Sequence, residues 1–182
     1  MAVLFIFAGL IQADGGFTVA DQEDILRGRI ILPSDALAKQ NSYTFLIELN
    51  IGEGWHINSH EPLEEFLIPT EVNLEETDGI SYGKLVYQHA ELRNFSFSET
   101  QVSVFEGKAY VRATVTINPD YAGEELVMRG TVYYQACNDE SCLAPAEITV
   151  TKLVDIVAAD SEIAPANQDV FDQTSPGIRD RG

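Results

Sequence analysis

The 182 residues, 45% of them hydrophobic, are enough to bury the core of one ordinary domain and too few for a second of full size. With 29 acidic residues against 11 basic ones, the formal net charge of −18 argues against nucleic acid or an anionic membrane as the main partner, because both would repel the chain. Most of the acids fall in loop-like stretches such as residues 61–65 and 71–78, the pattern of a solvated surface more than of a docking site for a basic partner.

Residues 2–11 form an unbroken apolar run that as a helix would rise about 15 Å, half of a bilayer core. That length fits the apolar part of a secretory signal and not a membrane span. Ala13-Asp14-Gly15 adds a small-x-small cleavage pattern, so residues 1–15 are expected to be a signal peptide. The first basic residue is Arg27, so the usual basic leader is missing and the start reads as truncated; a buried N-terminal strand is the bland alternative. A signal would place the protein in an oxidising compartment.

From about Arg29 the pattern is all-β. Tyr43, Phe45, Ile47, Leu49 and Ile51 alternate with Thr44, Glu48 and Asn50, and Ala109, Val111, Ala113, Val115 and Ile117 alternate with Tyr110, Arg112, Thr114 and Thr116. This is the period of half-buried strands. Residues 126–136 and 148–153 continue it, and turn-forming groups such as Gly52-Glu53-Gly54, Asp78-Gly79, Glu106-Gly107 and Asn118-Pro119-Asp120 fall between the runs. Short strands and turns without a long helical period predict a single immunoglobulin-like β-sandwich over residues 28–155. Residues 158–182 are poor in large apolar side chains and are expected to be a flexible tail.

Both cysteines lie in one loop. Val132, Tyr134 and Ala136 alternate with Tyr133 and Gln135, so Cys137 falls where an aromatic-rich strand leaves its sheet and Cys142 where the chain turns back. Two thiols so placed can reach each other, yet closing so small a ring stabilises a fold by only about 2 kcal/mol. On the residues alone a structural staple in a secreted sandwich is favoured over a redox couple, since small secreted domains commonly use bridges as staples. The negative charge of Asp139 and Glu140 between the cysteines is expected to disfavour a bare thiolate. The cysteines with His56, His60 or His89 could serve a copper or zinc carrier, but His56 and His60 have zinc-like spacing only on a helix. Gly52, Gly54 and Pro62 speak against one, so no metal is expected. No Gly-rich phosphate loop or Ser-His-Asp arrangement appears, and no cofactor is expected.

The run Tyr134-Gln135-Ala136-Cys137, its short acidic loop, Cys142 and Pro145 resemble the redox loop of the N-terminal periplasmic domain of DsbD, the thiol:disulfide interchange family. Gly54-Trp55-His56-Ile57-Asn58 and Tyr82-Gly83-Lys84 fit the same family in the same order. The resemblance implies a periplasmic or otherwise exported protein-disulfide reductase, linked to cytochrome c biogenesis, that relays reducing equivalents through Cys137 and Cys142. It implies thioredoxin-like domains and periplasmic thiol proteins as partners, with a membrane electron donor. By residue-for-residue match Cys142 exchanges with partners and Cys137 resolves. The family also covers its site with an aromatic cap before a Tyr-Gly pair. Here Ser81 falls at the shielding position, so Tyr82, followed by Gly83, is the expected lid; the plain alternative is a turn into residues 85–87. Tyr134 and His56 are expected to line the site, whereas Trp55 suits a sandwich core. The chain departs from the family pattern in a loop one residue shorter, in Leu143 for an aromatic, and in Ala144 for the first of two prolines. The rival reading is a secreted immunoglobulin-like binding module whose disulfide only pins a hairpin.

Overall fold

The computed structural model describes residues 25–96 and 98–174, so the expected signal peptide at 1–15 and residues 175–182 lie outside it. The chain folds into two facing sheets with a third sheet extending one end. In the first sheet β1 (Leu26–Ile31), β3 (Ser42–Ile51) and β10 (Lys108–Ile117) lie side by side, and β6 (Ile80–Tyr82) and β7 (Val86–Tyr87) both pair with β10. The second sheet runs β2 (Ala36–Ala38), β13 (Ala146–Val157), β11 (Glu125–Tyr134) and β5 (Glu71–Leu74). All these pairings are antiparallel except that of β2 with β13. The chain changes sheets between β1 and β2, where Pro33 has no amide hydrogen to give a ladder. This is the expected immunoglobulin-like sandwich.

The alternation read from the sequence faces the core. On β10 Ala109, Val111, Ala113, Val115 and Ile117 are buried, and on β11 Leu126, Met128, Val132 and Tyr134 meet them from the other sheet. Gly28 lets the two sheets approach closely: a Cβ there would sit 2.5 Å from Val150 Cγ1.

β3 departs from simple alternation because its outer face is covered as well. Leu46 and Ile31 are buried beneath Val86, Tyr110 and two side chains of a short helix, α1 (Gln168–Thr174), namely Val170 and Phe171. Beside them the buried carboxylate of Glu48 accepts hydrogen bonds from Arg29 Nε at 2.8 Å, Arg29 Nη2 at 3.2 Å and the Tyr110 hydroxyl at 3.1 Å. The segment leading to α1 is tied down by Ala166 N to Pro33 O at 2.8 Å and Asn167 Nδ2 to Leu32 O at 2.9 Å. Residues 158–174 are therefore docked, not the flexible tail expected from composition. Two apolar side chains and a handful of hydrogen bonds suffice, and a count of large apolar residues does not register them.

At the opposite edge β3 and β10 connect through turns into the third sheet, whose order is β12 (Ala136–Cys137), β4 (His56–Asn58), β9 (Val102–Glu106) and β8 (Glu91–Arg93). Gly107 makes the corner between β9 and β10 with φ of 59°, a left-handed conformation that suits glycine, and its carbonyl accepts the Ile51 amide at 2.6 Å. Trp55 packs against the core at this bend, as expected.

Candidate redox site at the end of the sandwich

After β11 the chain re-pairs on β4, with Ala136 opposite Ile57 and Cys137 opposite His56. The next residues close a tight turn. Asn138 Oδ1 accepts the amides of Glu140 at 3.0 Å and Ser141 at 2.9 Å, the local bonding that favours Asn in turns. Asn138 N reaches Ser141 O at 2.9 Å and Leu143 N reaches Ala136 O at 2.8 Å, which brings Cys142 back beside Cys137. The two are joined by a disulfide, and no free cysteine remains. The bridge is asymmetric: Cys137 is fully buried, whereas Cys142 is exposed. A sulfur arriving from solvent meets Cys142.

Gln135 holds the loop from below. Its Nε2 donates to Leu143 O at 3.1 Å, and its Oε1 accepts Asn58 Nδ2 at 3.2 Å and the Ile68 amide at 3.4 Å. Asn58 is itself buried and donates to Ile68 O at 2.9 Å. His56, on the same rung as Cys137, is only 2% exposed and stacks on Phe95 with ring centroids 4.0 Å apart. Burial pushes its imidazole below the ordinary 6.5, while the charges of Glu106 and Asp139 pull it back up.

Phe95 belongs to the tip of the β8–β9 hairpin, and Ser96 Oγ donates to Asp139 O at 2.6 Å, so that tip rests on the cysteine loop. Its base is fixed by Arg93, which pairs with Glu106 at 2.9 Å and with Glu91, and by Leu67, Val102 and Val104 packed with Phe95. Sequence reasoning missed Phe95 and Ser96, because the run Asn94-Phe95-Ser96 carries no sign of where its hairpin curls.

The structure does not bring Tyr82, Ser81 and Gly83 to the cysteines. Tyr82 is paired with Val115, seven positions along β10 from Lys108, or about 23 Å of strand, while Cys137 connects through His56 to Glu106 beyond the other end of β10. Tyr82 packs edge-on against Phe45 with centroids 6.0 Å apart, and burial raises its phenol pKa. Ser81 Oγ lies 3.3 Å from Asn118 Nδ2. Gly83 donates its amide to Thr114 O at 2.9 Å, so close to β10 that a Cβ would run into the Thr114 side chain. The lid expected at Tyr82 is therefore a strand edge: a Tyr-Gly pair fits a tight approach between strands as well as a cap. Tyr134 is 1% exposed and lies in the core beneath the loop, where burial raises its phenol pKa.

His60 stacks on Tyr87 at 3.9 Å with its Nδ1 3.1 Å from Thr70 O. Among the described residues no three His, Cys, Asp or Glu side chains group as metal ligands.

A disulfide held at the end of an immunoglobulin-like sandwich, one cysteine buried beside a hairpin tip and the other exposed, defines a class of β-domain that carries an asymmetric, partly accessible bridge. The chain belongs to the family described as thiol:disulfide interchange protein DsbD, N-terminal, which matches residues 22–153. Among solved structures it is similar to the N-terminal periplasmic domain of ScsB from Proteus mirabilis, with a TM-score of 0.57 and 11% identity over 88% of this chain; it spans 57% of that one. The full-length major pilin SpaD from Corynebacterium diphtheriae aligns at a TM-score of 0.44 and 10% identity, over 71% of this chain and 34% of the pilin. No curated protein sequence matches the chain.

Proposed function

We propose that this domain is a periplasmic thiol-disulfide exchanger that relays reducing equivalents to exported thiol proteins through Cys137 and Cys142, acting as a protein-disulfide reductase. The observation that carries the reading is the asymmetry of the bridge in a chain of the DsbD N-terminal family: Cys142 is open to a partner and Cys137 is not. In the reducing direction the Cys142 thiolate attacks a partner disulfide and forms a mixed disulfide. Cys137 then attacks Cys142, closes the internal bridge and releases the partner reduced. Recharging runs the other way, with a donor thiolate attacking Cys142 and Cys137 leaving. Thioredoxin-like domains are the partner class that matches this chemistry, and a membrane protein is the expected electron donor. Phe95 and Ser96 hold the hairpin tip on His56 and Asp139, covering the Cys137 side of the bridge and leaving Cys142 as the point of entry.

Two measurements test the reading. Equilibration in thiol buffers followed by alkylation and mass measurement should find a bridge that opens reversibly; one that stays closed well below about −300 mV would be a structural staple. With a thioredoxin-like protein, Cys137→Ala should accumulate mixed disulfides and Cys142→Ala should not. The reverse trapping pattern would exchange the two roles.

A further inference from the structure

We propose that His56 is the proton acceptor for the Cys137 thiol in the resolving step, an inference that rests on the redox reading above and assigns a role within the same site. Cys137 and His56 are directly opposed on the antiparallel pair of β12 and β4. Opposed residues project from the same face with Cβ atoms about 5 Å apart. Both side chains are shut away from water, at 0% and 2% exposed. A thiol in that position needs a local acceptor, because the attacking species is the thiolate and solvent base does not reach it.

The groups around the pair sharpen the need. Glu106 faces His56 from β9, Asp139 follows Cys137 in the loop, and Glu91 and Arg93 on β8 are joined to Glu106 through the Arg93 guanidinium. One cation stands among three carboxylates, a field that opposes a bare thiolate and stabilises an imidazolium. Burial keeps the resting imidazole neutral, the form able to take a proton, and the Phe95 stack fixes the plane of the ring.

With the partner held on Cys142 as a mixed disulfide, the Cys137 S–H proton passes to the imidazole. The sulfur's electron pair forms the bond to Cys142 Sγ. The bond from Cys142 to the partner breaks, and the partner sulfur departs with that electron pair. Cys137 is oxidised, the partner sulfur is reduced, and the imidazolium returns its proton to the departing thiolate. In the recharging direction the same imidazolium protonates Cys137 as it leaves.

The resolving step can be read with the reduced full chain and dithionitrobenzoate, which releases one coloured thiolate when Cys142 is labelled and a second when Cys137 closes the bridge. His56→Gln should slow the second release about a hundredfold at neutral pH, slow the first much less, and shift the pH profile of the second upward. Equal slowing of both releases, or an unchanged profile, would overturn the assignment. Because a buried histidine is being replaced, NMR titration of the His56 ring in the unaltered protein gives an independent reading. The midpoint should differ between oxidised and reduced protein, and identical curves would also overturn it. A wild-type chain that gives a first release and no second sinks the redox reading and this inference together, an outcome distinct from a failure of His56 alone.

Discussion

His56 is held neutral by burial, and this couples the site to stability. Its imidazole binds a proton less readily folded than unfolded. Its contribution is therefore complete above the unfolded value near 6.5 and is lost as pH falls through the lower folded value. Thermal melts should show a fall in melting temperature from pH 7 to pH 5 that His56→Phe reduces; an equal fall in the variant would remove His56 as its source. Glu48 acts lower in the range. Burial pushes its carboxyl up, but hydrogen bonds from Arg29 and Tyr110, with the charges of Arg29 and Lys108, leave it below the ordinary 4.5. Its share is present above that value and lost as pH falls through the folded one. Gly28 is a third single-residue dependence. Gly28→Ala would drive a methyl into Val150, and overpacking of this kind costs about 1–3 kcal/mol. Denaturant titration should show the lower midpoint with the slope unchanged.

At the scale of elements, the two segments that could have covered the cysteines end in different places. β6 is held against β10 by the Tyr82–Val115 and Ile80–Ile117 registers, whereas the β8–β9 tip reaches the loop through Phe95 and Ser96. Phe95→Ala should therefore speed reduction of the bridge by a small dithiol several-fold, followed by the loss of disulfide in stopped-flow alkylation. Tyr82→Ala should leave that rate unchanged while lowering stability, and a faster reaction in the Tyr82 variant would move the lid back to β6. The long strands were legible in the sequence because β10 and β11 each have one face in the core, so alternation reports burial directly. β4 was not, because His56, Ile57 and Asn58 are all buried and carry no alternation. The cysteine loop was legible from spacing and turn chemistry. What covers it was not, because a lid is fixed by where a hairpin curls in space, and Tyr-Gly and Asn-Phe-Ser runs give no direction.

At the scale of the molecule, the sandwich separates its two dockings. The helix α1 closes the outer face of the first sheet through Val170 and Phe171, while the disulfide sits where the third sheet extends the end. Phe171→Ser should lower stability by about 1–2 kcal/mol for the lost burial, a shift of a few degrees in melting temperature, and leave the exchange rate at Cys142 unaltered. A matching loss of exchange would mean that the two regions are coupled through the sheet. The acidic surface seen in the composition wraps this frame, with exposed carboxylates in its loops and at the hairpin base.

The backbone bonds around the cysteine loop carry a kinetic consequence. Asn138 N to Ser141 O and Leu143 N to Ala136 O do not involve sulfur, so the turn that sets Cys142 against Cys137 is held by contacts other than the bridge itself. Under the proposed exchange, a partner attached at Cys142 would leave Cys137 competing for that sulfur as a tethered neighbour at very high effective molarity, while any second protein would have to arrive by diffusion. On the proposed relay, the covalent complex would then be a fleeting one that lets go of its client unaided, the domain turning over by its own geometry instead of waiting for a third molecule.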